Sequence, residues 1–240
     1  MNSGLRRDLR SLAWPGIAYH DGGMTHPCLY LIRHGETDWN AEGRLLSFTD
    51  RPLNTRGEEQ AAGLAETLAG VPWDRAVSSP LVRARRTAEV VLAARADAPA
   101  LGIDECLREM DFGPYEGWTE AQLEADPMAV TRRRDGAQIP GVEPEEEVAE
   151  RARSFLSSLD AADETTLVVG HGRMLRILIA AALGLPPSFS RSLRMRNCRP
   201  AILEPGATPL LLALNAGDPA FEVRPAFWDP AGSTRSLANG

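Results

Sequence analysis

Two strand-like runs of mostly apolar residues, each followed by a His-Gly pair, constrain the fold of this chain most strongly. The first run is Cys28–Ile32, followed by Arg33-His34-Gly35, and the second is Thr165–Val169, followed by Gly170-His171-Gly172. A strand without regular polar alternation is typical of a parallel sheet that is covered on both faces. We therefore expect an α/β fold in which each pair follows a buried strand.

Helical and strand-like patterns alternate along the rest of the chain. Apolar residues at helical spacing predict helices over Thr55–Ala69, Pro80–Ala94, Thr119–Arg134 with a break at Asp126-Pro127, Pro144–Leu159, and a segment through Leu175 and Ala181. Thr55 is the expected N-cap of the first, and Pro80 suits the first turn of the second. Further strands are predicted at Trp73–Ser78, Leu101–Leu107, Ala201–Leu203 and Pro209–Leu214.

This alternation predicts a single-domain three-layer sandwich with a mostly parallel sheet flanked by helices. We place the domain at residues 27–215, after a loosely ordered extension (1–26) and before a Pro/Gly-rich tail (216–240). The polar stretch Thr119–Pro140 is interpreted as an insertion over the strand ends.

The charged residues exclude several classes of function. All 26 basic residues are arginines, so no lysine is available for a Schiff base or a nucleotide-binding P-loop. A net charge of -7 and a pI of about 5.2 offer no broad basic surface for nucleic acid.

Cysteines and hydropathy indicate a cytoplasmic protein. The three cysteines, Cys28, Cys106 and Cys198, are too few and too far apart for a disulfide framework or a CxxC site. No apolar stretch is long enough to cross a membrane, and Pro15 and Gly16 interrupt the one run that resembles a signal peptide. We expect no membrane partner and either a monomer or a homodimer.

Two of the four histidines stand where α/β proteins bind ligands. His20 and His26 lie in the extension and are interpreted as solvated, whereas His34 and His171 follow strands, at the sheet edge where ligands collect. Their imidazoles could instead only satisfy backbone groups at the strand ends. A metal would need more ligands than two histidines, and no HxxxH or HxH spacing supplies them. With Arg33 beside His34, a phosphate-handling site without metal or other cofactor is favoured.

Five ordered blocks resemble the histidine phosphatase superfamily, the phosphoglycerate mutase-like proteins. The blocks are Leu31–Asn40 with its Arg-His-Gly signature, Arg44 with Asp50–Asn54 and Gly57–Ala61, Ser78–Ala84, Glu109 with Phe112-Gly113 and Tyr115–Gly117, and Val168–Gly172. The resemblance extends from about residue 28 to residue 214.

This resemblance implies a role for each matching residue. His34 would be the nucleophile that becomes phosphorylated, and Glu109 would be the general acid. Arg33, Arg83 and His171 would hold the phosphoryl oxygens, with Asn40 and Gly172 beside them. Arg85 and Arg86, and likewise Arg132–Arg134, are expected on the surface, and Trp39 and Trp118 are expected to pack.

The sequence departs from the family pattern on the substrate side. Leu45, Leu46 and Ser47 replace the usual residues after Arg44, and Pro140–Pro144 lacks a hydroxyl often found in that loop. Leu46 suggests a less hydrophilic leaving group than a small phosphoglycerate.

The segment after Glu109 resembles the phosphatases more than the mutases. We therefore expect a metal-independent phosphomonoesterase that acts on a small phosphorylated metabolite. Phosphoglycerate mutase-type transfer is one alternative, and a weakly active module that binds phosphorylated ligands is another.

Overall fold

A computed structural model describes residues 28–127, 139–159 and 164–217. Six strands form one sheet in the order β3-β2-β4-β1-β5-β6. In chain order they are β1 (Leu29–Arg33), β2 (Arg75–Ser78), β3 (Leu101–Ile103), β4 (Thr166–Gly170), β5 (Ala201–Glu204) and β6 (Leu210–Ala213). Strands β1 to β4 are parallel, and β5 and β6 continue the sheet in antiparallel pairs. The predicted mostly parallel sheet is confirmed.

Helices cover both faces of this sheet. They are α1 (Asp38–Ala41), α2 (Thr55–Leu68), α3 (Val82–Ala93), α4 (Glu120–Ala125), α5 (Glu145–Ser157) and α6 (Gly172–Ala182). Short 3-10 helices occupy Glu105–Leu107, Gly113–Tyr115 and Pro187–Ser192. In the described residues no helix is long and apolar enough to cross a membrane.

The core is divided by the sheet, as the predicted three-layer sandwich requires. On one face, Leu31 and Val168 pack with α5 and α6 through residues such as Phe155 and Leu175. On the other face, Ile32, Val169 and their neighbours pack with α2 and α3. Because successive side chains of a strand point to opposite faces, a run that is apolar throughout fills both halves.

The pairing of β1 with β4 positions the two histidines. Arg33 lies opposite Gly170 at the end of the parallel ladder, and the backbone N–H of His34 donates to the Gly170 carbonyl over 3.0 Å. The residues that follow the two strands therefore emerge side by side at one edge of the sheet.

Several predicted boundaries are wrong by a few residues. The N-cap of α2 is Asn54, not Thr55, because the Asn54 side chain accepts from the N–H of Gly57. Helix α3 begins at Val82, so Pro80 lies before it. The strand predicted from Trp73 begins at Arg75, and buried Trp73 instead packs edge-on against Tyr30.

One longer prediction is shortened, and another is tested only in part. The strand predicted over Leu101–Leu107 ends at Ile103, where the side chain of Asp104 caps a 3-10 turn. The helix predicted from Thr119 is capped by that residue and ends at Ala125, directly before the predicted break at Asp126-Pro127. Its continuation to Arg134, the extension 1–26 and most of the tail lie outside the described residues.

Candidate active site

The two strand-end histidines form the centre of a buried polar cluster. The ring centroids of His34 and His171 lie 5.2 Å apart, and the residues are 3% and 0% exposed. Arg83, which is 0% exposed, and Glu109, which is 6% exposed, are also among the buried residues.

His34 has one ring nitrogen bound to the protein and one left for a ligand. Its Nδ1 lies 2.7 Å from the carbonyl oxygen of Gly35. Because a carbonyl can only accept, Nδ1 carries the proton, and this assignment from the hydrogen-bond network leaves a lone pair on Nε2. Burial, and then the charges of Arg83 and Arg33, hold the pKa of His34 well below 6.5. The imidazole is therefore neutral at pH 7.

The loop after His34 is fixed by a close contact between two backbones. A side chain at Gly35 would place its Cβ 2.5 Å from the Gly57 carbonyl oxygen, and one at Gly57 would meet the Glu36 carbonyl oxygen. The N–H of Gly35 also donates to the Thr87 hydroxyl of α3 over 3.0 Å. Only glycine permits this approach, which holds His34 against α2 and α3.

Arg83 reaches the site from the first turn of α3. Its Nη2 donates to the carbonyl oxygen of Ser47 over 2.7 Å and its Nη1 to that of Thr49 over 3.1 Å, while its buried Nε has no partner. The N–H groups of Ser47 and Thr49 in turn donate to Oε1 of Glu116. Burial lowers the pKa of Arg83 to about 10, so the guanidinium remains charged near neutral pH.

Arg33 and Gly172 are in contact. Arg33 donates from Nη1 to the Met195 carbonyl over 3.0 Å, and its buried Nε has no partner. A Cβ at Gly172 would lie 3.4 Å from that Nε. The Arg33 guanidinium therefore lies directly beside the first residue of α6.

Asn40 lies in a short helix beside the Arg-His-Gly segment. Its Oδ1 accepts from the N–H of Thr37, which is the N-cap of α1. Asn197 bridges this residue to His34, because its Nδ2 lies 2.7 Å from the His34 carbonyl and 3.5 Å from Asn40 Oδ1. Asn197 could not be recognised from the sequence, because it lies more than 150 residues from its partners.

Glu109 is held at the N-terminus of α6. Its Oε1 accepts from the N–H groups of Met110 and Met174, both over 2.9 Å, and its Oε2 accepts from the N–H of Arg173 over 3.2 Å. Burial is the main cause of the lowered pKa values of Arg33 and Arg83, and the Glu109 charge opposes it in both. Glu109 therefore shares the site with the two arginines.

His171 is bound at the opposite ring nitrogen from His34. Its Nε2 lies 2.8 Å from the Ser79 hydroxyl, whereas its buried Nδ1 has no partner. Burial, and then the charge of Arg83, lowers the pKa of His171 well below 6.5, with smaller effects from His34 and Arg33.

A cavity of about 650 Å³, here called the side cavity, adjoins Glu109. It is lined by Met110 and Arg173, whose N–H groups bind the Glu109 carboxyl group. The rest of its wall contains apolar side chains, including Leu45, Phe112, Tyr115, Leu123 and Val142, and charges of both signs, from Arg176, Arg191, Arg194, Glu120, Glu143 and Glu145. Glu145 pairs with Arg173 and Arg191. Burial, followed by the charge of Arg173, lowers the pKa of Arg176 to about 10.

The remaining residues discussed from the sequence are two exposed arginines and two tryptophans that contact other side chains. Arg85 and Arg86 are exposed, as predicted, and Arg132–Arg134 lie outside the described residues. Trp39 stacks under Arg51, and Trp118 packs edge-on against Tyr115.

The prediction of a less hydrophilic leaving group was based on Leu46, in the loop that follows Arg44. Leu46 is 6% exposed and does not line the side cavity, which its neighbour Leu45 does. Leu45 is therefore the leucine of this pair that is exposed to the side cavity.

Within the described part of the chain, no group of three or more His, Cys, Asp or Glu side chains is arranged to hold a metal ion. The buried cations near His34 are guanidinium groups.

Comparison with known proteins identifies the family of this chain. A sequence model of the histidine phosphatase superfamily (branch 1) matches residues 29–214. The chain belongs to this superfamily. The match spans both histidines, Arg83 and Glu109, so the five sequence blocks fall within the matched region.

Relatives within the superfamily carry the names of both mutases and phosphatases. The probable phosphoglycerate mutase GpmB of Salmonella choleraesuis is 37% identical over 177 residues, which cover 71% of this chain and 81% of the relative. The α-ribazole phosphatase of Shigella flexneri superposes with a TM-score of 0.70 at 29% identity, covering 78% of this chain and 96% of that one. Mycobacterial glucosyl-3-phosphoglycerate phosphatase, in a complex with VO3, gives a TM-score of 0.71 at 31% identity over 79% of this chain and 99% of that one.

Proposed function

We propose that the protein is a phosphomonoesterase that works through a phosphohistidine at His34 and needs no metal ion. The observation that carries this proposal is the orientation of His34, whose Nδ1–H is bound by the Gly35 carbonyl. The free Nε2 lone pair is the nucleophile, and the neutral state of the ring keeps it available at pH 7.

The buried cations supply the charge that the transfer needs. Arg33 and Arg83 each have a buried Nε without a partner, and His171 has a buried free Nδ1. Donors fixed in a site of low polarity stabilise the charge on the nonbridging oxygens without having to reorganise. Arginine also offers phosphate a planar pair of donors, so these groups perform the neutralisation that a divalent ion performs elsewhere.

Glu109 is the proposed general acid. In the first step, Nε2 of His34 forms a bond to phosphorus, the ester P–O bond breaks, and the departing oxygen takes a proton from Glu109. In the second step, water attacks the phosphohistidine, Glu109 takes a proton from it, and phosphate leaves with His34 restored. Oε2 accepts one backbone N–H and Oε1 accepts two, so Oε2 has the lone pair free for this proton.

The side cavity is the proposed site for the leaving group, because it adjoins Glu109. Its partly apolar wall suits a leaving group that is less hydrophilic than glycerate. Arg176 and Arg194, which donate to backbone carbonyls, leave room for an additional negative charge on that group, whereas Arg173 and Arg191 pair with Glu145. Most of the residues that line this cavity are half-buried or exposed, which allows the first product to leave and water to enter. That access favours hydrolysis over the mutase reaction.

A panel of phosphomonoesters, assayed after chelator treatment, tests the proposal. We expect the wild type to release phosphate from several esters and His34→Ala to release none above background. Activity that is lost in chelator and restored by one divalent ion would contradict the metal-independent mechanism. Transfer of phosphate between two positions of phosphoglycerate, without net release, would instead identify a mutase.

A further inference from the structure

The two histidines of the site use opposite ring nitrogens to contact the protein. His34 is held at Nδ1 by Gly35, and His171 is held at Nε2 by Ser79. The ring of His171 is completely buried, and its Nδ1 is a buried polar atom without a partner. A buried polar atom of this kind is unfavourable unless a ligand or water satisfies it. Nδ1 is therefore the atom of His171 that is left for a bound anion.

The chemistry of Nδ1 depends on where the ring proton lies. If Nδ1 carries the proton, it donates to a phosphoryl oxygen. If Nε2 carries the proton, Nδ1 presents a lone pair to the same oxygen, and the contact becomes repulsive. Burial, and then the charges of Arg83, His34 and Arg33, disfavour a doubly protonated ring and lower its pKa, so the tautomer of the neutral ring decides the outcome.

The hydrogen bonds of Ser79 select between these tautomers. Its hydroxyl oxygen accepts from the backbone N–H of Leu81 over 3.4 Å. Among the described residues, the one side chain that hydrogen-bonds to this hydroxyl is that of His171. When the hydroxyl donates to Nε2, the hydroxyl proton has an acceptor, and the hydroxyl oxygen still accepts from the N–H of Leu81. When Nε2–H donates to the hydroxyl, the hydroxyl proton is left without an acceptor in a residue that is 0% exposed.

We propose that Ser79 is a positioning residue that donates its hydroxyl proton to Nε2 of His171 and so keeps the Nδ1–H of that ring available for the phosphoryl group. Both rings then carry their proton at Nδ1, but a different nitrogen of each ring is left for the phosphoryl group. His34 offers a lone pair at Nε2, and His171 offers a proton at Nδ1. This inference rests on the proposed phosphoryl site, but the tautomer exists in the protein without substrate.

Ser79 is itself held firmly enough to perform this role. Its backbone N–H donates to the Val169 carbonyl over 3.0 Å, which ties it to the strand that precedes His171. The neighbouring Ser78 is equally buried, but its hydroxyl donates to the Ser79 carbonyl and not to a histidine. The chain thus contains a matched control one residue away.

Imidazole ¹⁵N NMR tests the proposal directly on the full-length protein. The chain has four histidines, so selective labelling gives a simple spectrum, and His171→Gln identifies the signals of His171. At pH 7.5 in a buffer without phosphate, we expect the wild type to show His171 protonated at Nδ1. Ser79→Ala should shift the ring toward the Nε2–H form, whereas Ser78→Ala and Ser79→Thr should leave it unchanged.

Binding of inorganic phosphate provides a second measurement that does not depend on catalysis. We expect Ser79→Ala to weaken phosphate binding about tenfold and Ser78→Ala to leave it within about twofold. A wild-type spectrum with His171 protonated at Nε2 would overturn the proposal. So would a Ser79→Ala protein that retains both the Nδ1–H form and the wild-type affinity. Failure of the esterase proposal would appear separately, as an absence of ester hydrolysis.

Discussion

The proposed phosphoryl-binding residues and the walls of the side cavity are built in different ways. His34, Arg83 and His171 are buried, and each is fixed by a hydrogen bond at 2.7 or 2.8 Å. Of the cavity residues, Phe112 and Val142 are half-buried and belong to loops. A rigid binding site suits the phosphoryl group, which is the same in every phosphomonoester. A more open cavity suits the leaving group, which differs between enzymes.

This contrast predicts two kinds of mutational effect. Changes on the buried side should reduce the rates of all esters, whereas changes in the side cavity should alter the ranking of esters. Glu109 lies between the two and should show a third pattern, which depends on the acidity of the leaving group.

The largest effect is expected for Glu109→Gln. Alkyl esters should lose a factor of about 10² to 10⁴, because an alkoxide leaves poorly without a proton. Nitrophenyl phosphate should lose much less when the initial burst of nitrophenolate is timed, since nitrophenolate leaves as an anion. The glutamine amide oxygen can still accept the two N–H groups that bind Oε1, which limits damage to α6.

Glu116→Gln is the matched control for that experiment. Glu116 supports the loop that binds Arg83, so its substitution should affect both types of ester equally and more weakly. Equal losses for both ester types in Glu109→Gln would show that Glu109 supports the site without supplying the proton.

Arg83→Gln should reduce kcat/KM by about 10² to 10³, a typical effect of removing one fixed donor to a transition state. Steady-state rates for esters with different leaving groups should fall by the same factor, because Arg83 belongs to the buried side. Arg85→Gln, two residues along the same helix but exposed, should have little effect. A loss in Arg83→Gln that varied strongly with the leaving group would contradict the division into two sides.

A smaller effect is expected for Val142→Thr in the side cavity. The substitution keeps the shape of the side chain but adds a hydroxyl, whose burial against an apolar group is unfavourable. We expect kcat/KM for phenethyl phosphate to fall about 5- to 10-fold relative to glycerol phosphate. Val90→Thr, a half-buried valine on α3, controls for a general loss of stability. An unchanged ratio would exclude Val142 from leaving-group recognition.

The smallest effect concerns stability and pH. The folded-state pKa values of His34 and His171 are below 6.5, so the unfolded chain binds more protons as the pH falls below that value. Their contribution to the free energy of unfolding is therefore fully present above pH 6.5 and is lost as the pH falls toward the folded-state pKa values. His34→Asn or His171→Asn should each reduce the slope of unfolding free energy against pH by up to about 1.4 kcal/mol per unit.

Denaturant titrations between pH 5.5 and 7.5, in a buffer without phosphate, measure these slopes. His20→Asn is the control, because the sequence predicts that this histidine is solvated. Unchanged slopes in both active-site variants would show that these histidines are not held neutral by burial.

The same contrast explains what the sequence could reveal. His34 and His171 were recognisable because apolar strands with a parallel pairing place the following residues together. Arg83 and Glu109 were assigned through the family resemblance, and the structure places both in the buried cluster. Ser79 lies in the Ser78–Ala84 block but was assigned no role, and Asn197 lies in no block. Their contacts with the histidine segments depend on packing between distant parts of the chain.

The loops were the least predictable part. Leu45 and Leu46 are identical in type, and only the path of the backbone decides which one faces the cavity. The buried side depends on the sheet, which the hydrophobic pattern determines well. The cavity depends on loop conformations, which no periodic pattern encodes.

The most direct test of the central claim is the chemical identity of the phosphorylated intermediate. A labelled phosphomonoester is mixed with the enzyme, the reaction is quenched rapidly without acid, and the modified peptide and nitrogen are identified by mass spectrometry and ³¹P NMR. We predict phosphate on Nε2 of His34, because the Gly35 carbonyl occupies Nδ1. Phosphate on Nδ1, on another residue, or on no residue of an enzyme that turns over would contradict the account.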